Sequence, residues 1–234
     1  MDQTTQNIPA RTAKDVVIAP GRSNYMDRAI ISTSFYNSFN YSKLPQKYKH
    51  IKLSMGITSP NIHEGKTLVA ANLATSFALG YKRKTVLVDL NLNNPQLHKI
   101  FGIREQPGLV ESLSNQSIWL TQTRIEQLFV LPAGNWENHT LGLKDLAALR
   151  DVFYSLEREF EFVIVDMGSI LPIDNFPALF ANEVDGLMLV VDTRKTKKAD
   201  IDEIFHYIDD KQIFGFVLNR MKDGHHSKGW RRKK

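Results

Sequence analysis

Short apolar runs alternate with helix-type stretches along most of this 234-residue chain. The runs are apolar almost throughout, which is typical of strands buried on both faces of a parallel sheet. The predicted strands cover residues 50–57, 85–90, 127–133, 162–167, 186–191 and 213–219. The predicted helices cover residues 67–81, 143–160 and 199–210. This alternation predicts an α/β fold with a doubly wound, mostly parallel sheet and helices on both faces.

The segments that flank this alternating region differ from it in composition. Residues 1–24 are polar and contain two prolines and a glycine, so we interpret them as a flexible N-terminal segment. Residues 25–48 include Phe35, Tyr36, Phe39 and Tyr41 among Ser and Asn, and we expect a helix there that packs on the main domain. The chain is therefore predicted to form a single domain over residues 25–221, followed by a tail over residues 222–234.

The charge of the chain is concentrated in that tail. The stretch from Lys222 onward accounts for the whole formal net charge of +5, which leaves the preceding residues neutral. A nucleic-acid-binding domain more often has a basic stripe on its folded body, so no nucleic-acid partner is expected. The basic residues around Trp230 are interpreted either as a solvated extension or as a contact for an anionic membrane surface.

The absence of cysteine excludes a whole set of chemistries. Disulfides, thiolate zinc sites, iron–sulfur clusters and cysteine nucleophiles all require that residue. No apolar run approaches the roughly 20 residues of a membrane-spanning helix, and no secretory signal is visible at the N-terminus. These features favour a cytoplasmic location.

The loop after the first predicted strand has the features of a phosphate-binding loop. Ligand sites in doubly wound sheets lie at the carboxyl ends of the strands, and Glu64-Gly65-Lys66-Thr67 stands between such an end and a predicted helix. In a P-loop, backbone N–H groups cradle phosphates, a lysine reaches the β/γ-phosphates and a hydroxyl binds Mg²⁺. Lys66 and Thr67 are the candidates here, although Pro60 occupies the first glycine position of the strict pattern GxxxxGK[ST].

Two aspartates end predicted strands in the same way. Asp89 closes the second run and Asp166 the fourth. Two carboxylates that face one phosphate loop would be suited to hold Mg²⁺, directly or through water. Either residue alone could equally be a helix N-cap or a turn residue.

Several motifs in order resemble the bacterial tyrosine kinases (BY-kinases) of capsule and exopolysaccharide export. The similarity runs from about Ile51 to Arg220. TSPNIHEGKT resembles the family's loop TSxxPGEGKS, and VLVDLNLNNPQLHKIFG resembles its second acidic motif, VLLIDxDLRxPxxHxxFG. QPGLVESL, VLPAG, FVIVDMGS, DGLMLVVDTRKT and GFVLNR are similar to the segments that follow. The ParA/MinD-like P-loop ATPases are the wider relatives.

The resemblance implies ATP and Mg²⁺ as cofactors and a role for each matched residue. It implies that Lys66 and Thr67 bind the phosphates and Mg²⁺, that Asp89 assists the metal and the transfer, and that Asp166 holds Mg²⁺. Lys66 and Asp89 are thus the implied catalytic residues. The implied nucleotide-binding residues are His63, Glu64, Gly65, Lys66, Thr67, Leu68, Asn219 and Arg220. The last two would lie near the adenine.

The chain also departs from the family pattern. The second aspartate of the family's DxD motif is Asn91, which cannot be an anion or accept a proton at pH 7. The family's Pro-Gly within the loop is Ile62-His63, and a Cβ at His63 restricts positive φ. The oligomerisation motif ExxRxxR has no match around residues 27–39, and no tyrosine follows Tyr207, where the family has a C-terminal tyrosine cluster.

These observations leave three hypotheses. The first is an active ATP-dependent protein tyrosine kinase, and the second is a nucleotide-binding regulator or pseudokinase. Both would act with a transmembrane polysaccharide co-polymerase, which would hold the protein at the inner membrane. The third is a ParA/MinD-like positioning ATPase, which the resemblance disfavours because Asn61 stands where those proteins have a signature lysine.

Overall fold

The computed structural model describes residues 15–20, 52–135, 143–171 and 180–221. Within these ranges one eight-stranded sheet has the order β1-β4-β5-β3-β6-β2-β7-β8. The strands are β1 (Asp15–Pro20), β2 (Leu53–Ser59), β3 (Thr85–Leu90), β4 (Ser117–Gln122), β5 (Leu128–Leu131), β6 (Phe162–Ser169), β7 (Gly186–Asp192) and β8 (Ile213–Asn219). Every pair is parallel except β4 with β5. The predicted mostly parallel α/β sheet is confirmed.

The described helices connect these strands. They are α1 (Lys66–Thr75), α2 (Leu97–Phe101), α3 (Leu109–Ser114), α4 (Leu143–Glu159) and α5 (Lys198–Ile204). A π-helical turn over Ser76–Gly80 extends α1, so the helix predicted over 67–81 is confirmed, as is α4. The helix predicted over 199–210 ends early, at Ile204. None of the helices in the described ranges has the length and hydropathy needed to cross a membrane.

The sheet separates two hydrophobic cores, because successive side chains of a strand point to opposite faces. Val86 and Val88 of β3 belong to one core, and Leu87 between them belongs to the other. The first core contains the apolar face of α4, formed by Leu149, Val152, Phe153 and Leu156. The second contains Val69, Leu73 and Phe77 from α1 and its extension. Helices thus cover both faces, as predicted.

Two strands were not expected from the sequence. Strand β1 lies inside residues 1–24, so the interpretation of that segment as flexible is wrong for Asp15–Pro20. Its backbone pairs in parallel with β4 over the whole strand. These interstrand hydrogen bonds hold the segment in a strand conformation that its composition does not indicate. Strand β4 alternates buried Ile118 and Leu120 with less buried residues, a weaker pattern than the fully apolar runs. The predicted helix over 25–48 and the tail over 222–234 lie outside the described residues.

Strand β8 also differs from expectation. It was predicted to be buried on both faces, but Phe214, Phe216 and Leu218 are exposed, each by 47% or more. The strand is at the edge of the sheet and pairs with β7 alone among the described strands. An edge strand has a neighbour on one side only, so an apolar run does not by itself guarantee burial. Strand β1 belongs to the same sheet and lies before the domain start predicted at residue 25, and the boundary at residue 221 stays a prediction.

Candidate active site

The loop between β2 and α1 has the backbone shape that a phosphate-binding turn requires. His63 and Gly65 adopt left-handed conformations, with φ of 61° and 94°. A Cβ at Gly65 would clash with the Asn219 side chain, so both the conformation and the space require glycine there. Histidine tolerates positive φ better than most residues, so the Ile62-His63 departure from the family pattern preserves the turn.

Helix α1 begins directly at this loop with an N-terminus that suits an anion. Lys66 is its first residue, no side chain caps it, and its first turn contains no acidic residue. The N–H groups of the first turn have no partner within a helix, and the helix dipole adds partial positive charge at this end. Thr67 and Leu68 follow in that first turn, and the Leu68 side chain is exposed.

The Lys66 side chain lies in the interior beside two carboxylates. Only 6% of the residue is exposed. Burial lowers the pKa of the Lys66 ammonium, and the carboxylates of Asp166 and Glu64 oppose that shift. A buried cation at the start of a helix is placed where it would meet the phosphates of a bound nucleotide.

Asp89 and Asp166 lie opposite each other on β3 and β6, at the carboxyl ends of both strands. Both side chains are fully buried. The pKa of Asp166 lies well above its usual value because of burial and then because of repulsion from Asp89, while Thr67 and Lys66 oppose the shift. Among the described residues no hydrogen bond of normal geometry reaches either Asp166 oxygen, although the Thr67 hydroxyl lies close enough to lower the pKa. Such an orphaned carboxylate beside a threonine hydroxyl fits a Mg²⁺ ligand.

The Asp89 carboxylate also binds the backbone at the start of a helix, a role close to the capping alternative that the sequence left open. One oxygen accepts from the backbone N–H of Gln96 (3.1 Å) and Leu97 (3.0 Å), and the other accepts from Asn91 (3.3 Å). Asp89 therefore holds the start of α2 as well as facing the site. Burial raises the pKa of Asp89 to about 7, the three backbone donors oppose that shift, and Glu105 adds to it.

Asn91 is buried beside this pair, where the family has a second aspartate. Its amide therefore replaces what would be a third carboxylate close to Asp89. Among the described residues no group of three or more acidic or histidine side chains forms a metal cluster. A Mg²⁺ ion is usually held by one or two carboxylates together with nucleotide phosphates, so Asp89 and Asp166 would suffice.

Asn219 and Arg220 contact the loop itself. The Asn219 amide donates to the carbonyl oxygen of Glu64 (2.8 Å), and the Arg220 guanidinium donates to that of His63 (3.0 Å). The family resemblance implies that both residues lie near an adenine base, and it gave no sign of these loop contacts. The adenine contact stays a prediction.

Two further loop residues are held by the segment after β7. The buried Glu64 carboxylate accepts from the Thr196 hydroxyl and from the backbone N–H of Asn61. The Asn61 amide donates to the carboxylate of Asp200 on α5 (2.9 Å). Asn61, at the position of the signature lysine of the ParA/MinD-like proteins, is thus engaged within its own chain.

Comparison with known proteins places this chain in a family. The chain is 33% identical over 175 residues to tyrosine-protein kinase CpsD of Streptococcus pneumoniae, an alignment covering 71% of this chain and 75% of CpsD. It is 27% identical over 226 residues to tyrosine-protein kinase YwqD of Bacillus subtilis, covering 91% and 94%. The succinoglycan biosynthesis transport protein ExoP of Rhizobium meliloti is 28% identical over 174 residues. That alignment covers 71% of this chain but only 22% of ExoP.

Solved structures agree with the sequence relatives. The chimerical protein CapA2B2 superposes with a TM-score of 0.65 at 25% identity, covering 78% of this chain and 88% of that one. The cell division ATPase MinD of Pyrococcus furiosus superposes with a TM-score of 0.57 at 26% identity, covering 72% of each chain. No protein-family model matches the chain. The identity to CpsD over most of both chains shows that this protein belongs to the bacterial tyrosine kinases of capsule and exopolysaccharide biosynthesis.

Proposed function

We propose that this protein binds ATP and Mg²⁺ and transfers the γ-phosphoryl group to protein tyrosine, in the service of capsule or exopolysaccharide production. One observation carries the proposal: the buried Asp166 carboxylate accepts no hydrogen bond of normal geometry from the described residues, and it lies near Lys66 and Thr67. A carboxylate in that position is stable only with a proton or a cation. The uncapped N-terminus of α1 beside it supplies the matching anion site.

The loop and the two aspartates would bind different parts of the nucleotide–metal complex. The backbone N–H groups from His63 to Leu68 would surround the phosphates, and the Lys66 ammonium would contact the β- and γ-phosphates. Thr67, Asp89 and Asp166 would hold Mg²⁺, which when bound neutralises charge on the phosphates during transfer. Because Lys66 and both carboxylates are buried, water is excluded and their electrostatic interactions are strengthened.

Asp89 is the candidate proton acceptor. Burial raises the pKa of Asp89 to about 7 in the metal-free protein, and Mg²⁺ bound beside it would lower that pKa, so the carboxylate would be ionised and able to accept a proton. Its backbone hydrogen bonds fix the orientation of the carboxylate, so it would meet the incoming tyrosine hydroxyl without reorganising. In this role Asp89 would take the tyrosine proton as the tyrosine oxygen attacks the γ-phosphorus, and the bond from that phosphorus to the β–γ bridging oxygen would break and release ADP.

A nucleotide-binding regulator with weak transfer is the second candidate. It is favoured by Asn91, which removes one anion and one proton acceptor beside Asp89. It is also favoured by the hydrogen bonds of Asp89. Its oxygens already accept three backbone N–H groups and are therefore less available to accept a proton. A ParA/MinD-like positioning ATPase has the same fold but less support, because Asn61 is not lysine and binds Asp200.

We further propose that the partner is a transmembrane polysaccharide co-polymerase. ExoP, which is named as a transport protein, is several times longer than the region it shares with this chain, and so has room for further segments. A separate membrane partner would then keep this kinase at the cytoplasmic side of the inner membrane. The basic tail, which lies outside the described residues, would add contact with anionic lipid.

The decisive experiment mixes purified protein with ATP, Mg²⁺ and the cytoplasmic segment of the candidate partner. Phosphotyrosine on either protein that disappears in Lys66→Ala supports the kinase. ATP binding without phosphotyrosine supports the regulator instead. Absence of ATP binding by the wild type would contradict both.

A further inference from the structure

The phosphate loop is fastened to one side of the sheet by contacts that span much of the sequence. Three consecutive carbonyl oxygens in the loop accept from side chains at the ends of β7 and β8. The Lys195 ammonium reaches Ile62 (3.4 Å), the Arg220 guanidinium reaches His63 (3.0 Å) and the Asn219 amide reaches Glu64 (2.8 Å). The donors lie 133 to 157 residues from their acceptors in the chain. The shape of the loop therefore depends on these strand ends.

Arg220 is the one donor of the three with a described ionic anchor of its own. Its Nη1 atom, which donates to His63, also lies 2.6 Å from Oδ2 of Asp192. The Asp192 side chain is fully buried at the end of β7, whereas 38% of the Arg220 side chain is exposed. Arg220 thus links the last residue of β7 to the left-handed residue in the middle of the loop.

The backbone of Arg220 supports this arrangement. Its φ is 58°, a left-handed conformation that is uncommon for residues other than glycine. The Arg220 N–H donates to the Asn219 side-chain oxygen (2.9 Å), and the amide of that same side chain donates to the loop. The turn at the end of β8 therefore directs both side chains back toward the loop.

Arg194 provides an internal comparison. Its guanidinium also binds Asp192, at 3.3 Å from Oδ1. Its contacts among the described residues do not include the loop. The two arginines therefore share an anchor and a charge and differ in the bridge to His63.

We propose that Arg220 is a positioning residue: by bridging Asp192 and the His63 carbonyl, it holds the loop in its anion-binding shape. This rests on the proposed nucleotide site and differs from the adenine contact that the family resemblance implies. Fixing the His63 peptide orients the N–H groups that follow it, so the loop does not have to be ordered when phosphate binds. Removing the bridge would cost affinity for phosphate chains whether or not a base is attached.

The first test uses ligand-free protein and compares Arg220→Ala with Arg194→Ala. Hydrogen exchange at the amides of residues 62–66 is expected to accelerate in Arg220→Ala and to match the wild type in Arg194→Ala. Thermal unfolding of both variants monitors general loss of stability, since each removes one partner of Asp192. Equal exchange rates in the loop of the two variants would overturn the proposal. This readout does not depend on nucleotide binding, so it tests the bridge even if the proposed function fails.

The second test separates the loop from the base. Calorimetry with ATP and with tripolyphosphate, each with Mg²⁺, is carried out on the wild type and both variants. Arg220→Ala is expected to weaken the binding of both ligands by the same factor, roughly tenfold for a lost charge-assisted hydrogen bond. Arg194→Ala is expected to have less effect on either. If Arg220→Ala binds ATP more weakly but tripolyphosphate with unchanged affinity, Arg220 contacts the adenine and the positioning role is overturned. If the wild type binds neither ligand, the proposed function itself is overturned.

Discussion

Asp89 and Asp166 are paired across neighbouring parallel strands, and both carboxylates are buried, yet their hydrogen bonding is opposite. Asp89 accepts three backbone N–H groups, and Asp166 accepts no hydrogen bond of normal geometry from the described residues. The pair therefore divides into Asp89, which the backbone holds in place, and Asp166, which no backbone group holds and which is the more available to a cation. This division gives each residue a distinct mutational signature.

Lys66→Ala is expected to abolish ATP binding. The Lys66 ammonium is the charge that the loop itself can offer to the β- and γ-phosphates, and it is buried next to the carboxylates that would share the metal. Calorimetry with ATP and Mg²⁺ measures the effect. The control is Lys84→Ala, at the amino end of β3. It removes the same charge far from the loop and is expected to bind ATP with the affinity of the wild type. Equal affinities for Lys66→Ala and the wild type would refute the site.

Asp166→Asn is expected to stabilise the ligand-free protein while removing Mg²⁺-dependent nucleotide binding. The pKa of Asp166 is raised on folding, so the folded protein retains a proton that the unfolded chain releases near pH 4. The free energy of unfolding of the wild type should therefore fall as the pH rises above about 4. The asparagine variant has no buried carboxyl to ionise. Its free energy of unfolding should therefore exceed that of the wild type by an amount that grows with pH to roughly 1–3 kcal/mol.

Urea unfolding of ligand-free protein at pH 6 and pH 8 measures this difference. The exposed Asp202, replaced by asparagine, serves as the control and is expected to show no comparable gain. A wild type more stable than Asp166→Asn at pH 8 would mean that the carboxylate is already satisfied without a cation.

Asp89→Ala is expected to remove phosphotransfer and also to destabilise the fold. Its loss leaves the buried N–H groups of Asn91 and Leu97 without their acceptor, at about 1–3 kcal/mol for each unsatisfied group. Asp89→Asn retains one acceptor oxygen and should keep most of the stability but not the activity. Unfolding curves and phosphotyrosine assays on the two variants separate these roles. Full turnover by Asp89→Asn would exclude Asp89 as the proton acceptor.

Asn91→Asp is expected to raise turnover with little change in ATP affinity. A carboxylate that acts in proton transfer typically contributes factors of about 10² to 10⁴ in rate, whereas binding relies on Lys66 and the loop amides. The same change adds a third buried carboxylate, so the ligand-free protein should lose stability and recover it with ATP and Mg²⁺. Asn94→Asp adds the same charge at an exposed position of the turn and is the control. If the wild type is already fast and Asn91→Asp adds nothing, the regulator hypothesis is wrong.

The basic tail offers a separate test. Residues 228–234 include five basic side chains and Trp230, and each basic residue could contribute roughly 1 kcal/mol at an anionic membrane surface. Deleting these residues is expected to reduce flotation with anionic liposomes and to leave flotation with neutral liposomes unchanged. Equal flotation of the full-length and truncated proteins with anionic liposomes would leave the tail a solvated end.

The local pattern of the sequence was enough to predict the central strands and the meeting of Asp89 and Asp166 at one edge of the sheet. Apolar runs such as 85–90 and 162–167 carry a signal over a few residues, and Asp89 and Asp166 end those runs. Because the strands are parallel, their carboxyl ends meet at one edge of the sheet, and the two aspartates could be expected to lie together. The local pattern did not predict β1 and β4. These strands are stabilised by pairing with each other, which their own composition does not indicate.

The remaining features of the site were decided by tertiary structure. The bridge from Asp192 through Arg220 to His63 depends on β7 lying between β2 and β8, and local periodicity does not specify strand order. The exposure of Phe216 follows in the same way from the position of β8 at the sheet edge. The pKa of Asp89 depends on how deeply neighbouring elements bury it, with the backbone donors of α2 acting against that burial. Such properties arise from residues far apart in the chain, because burial and electrostatic interaction depend on distance in space rather than along the sequence.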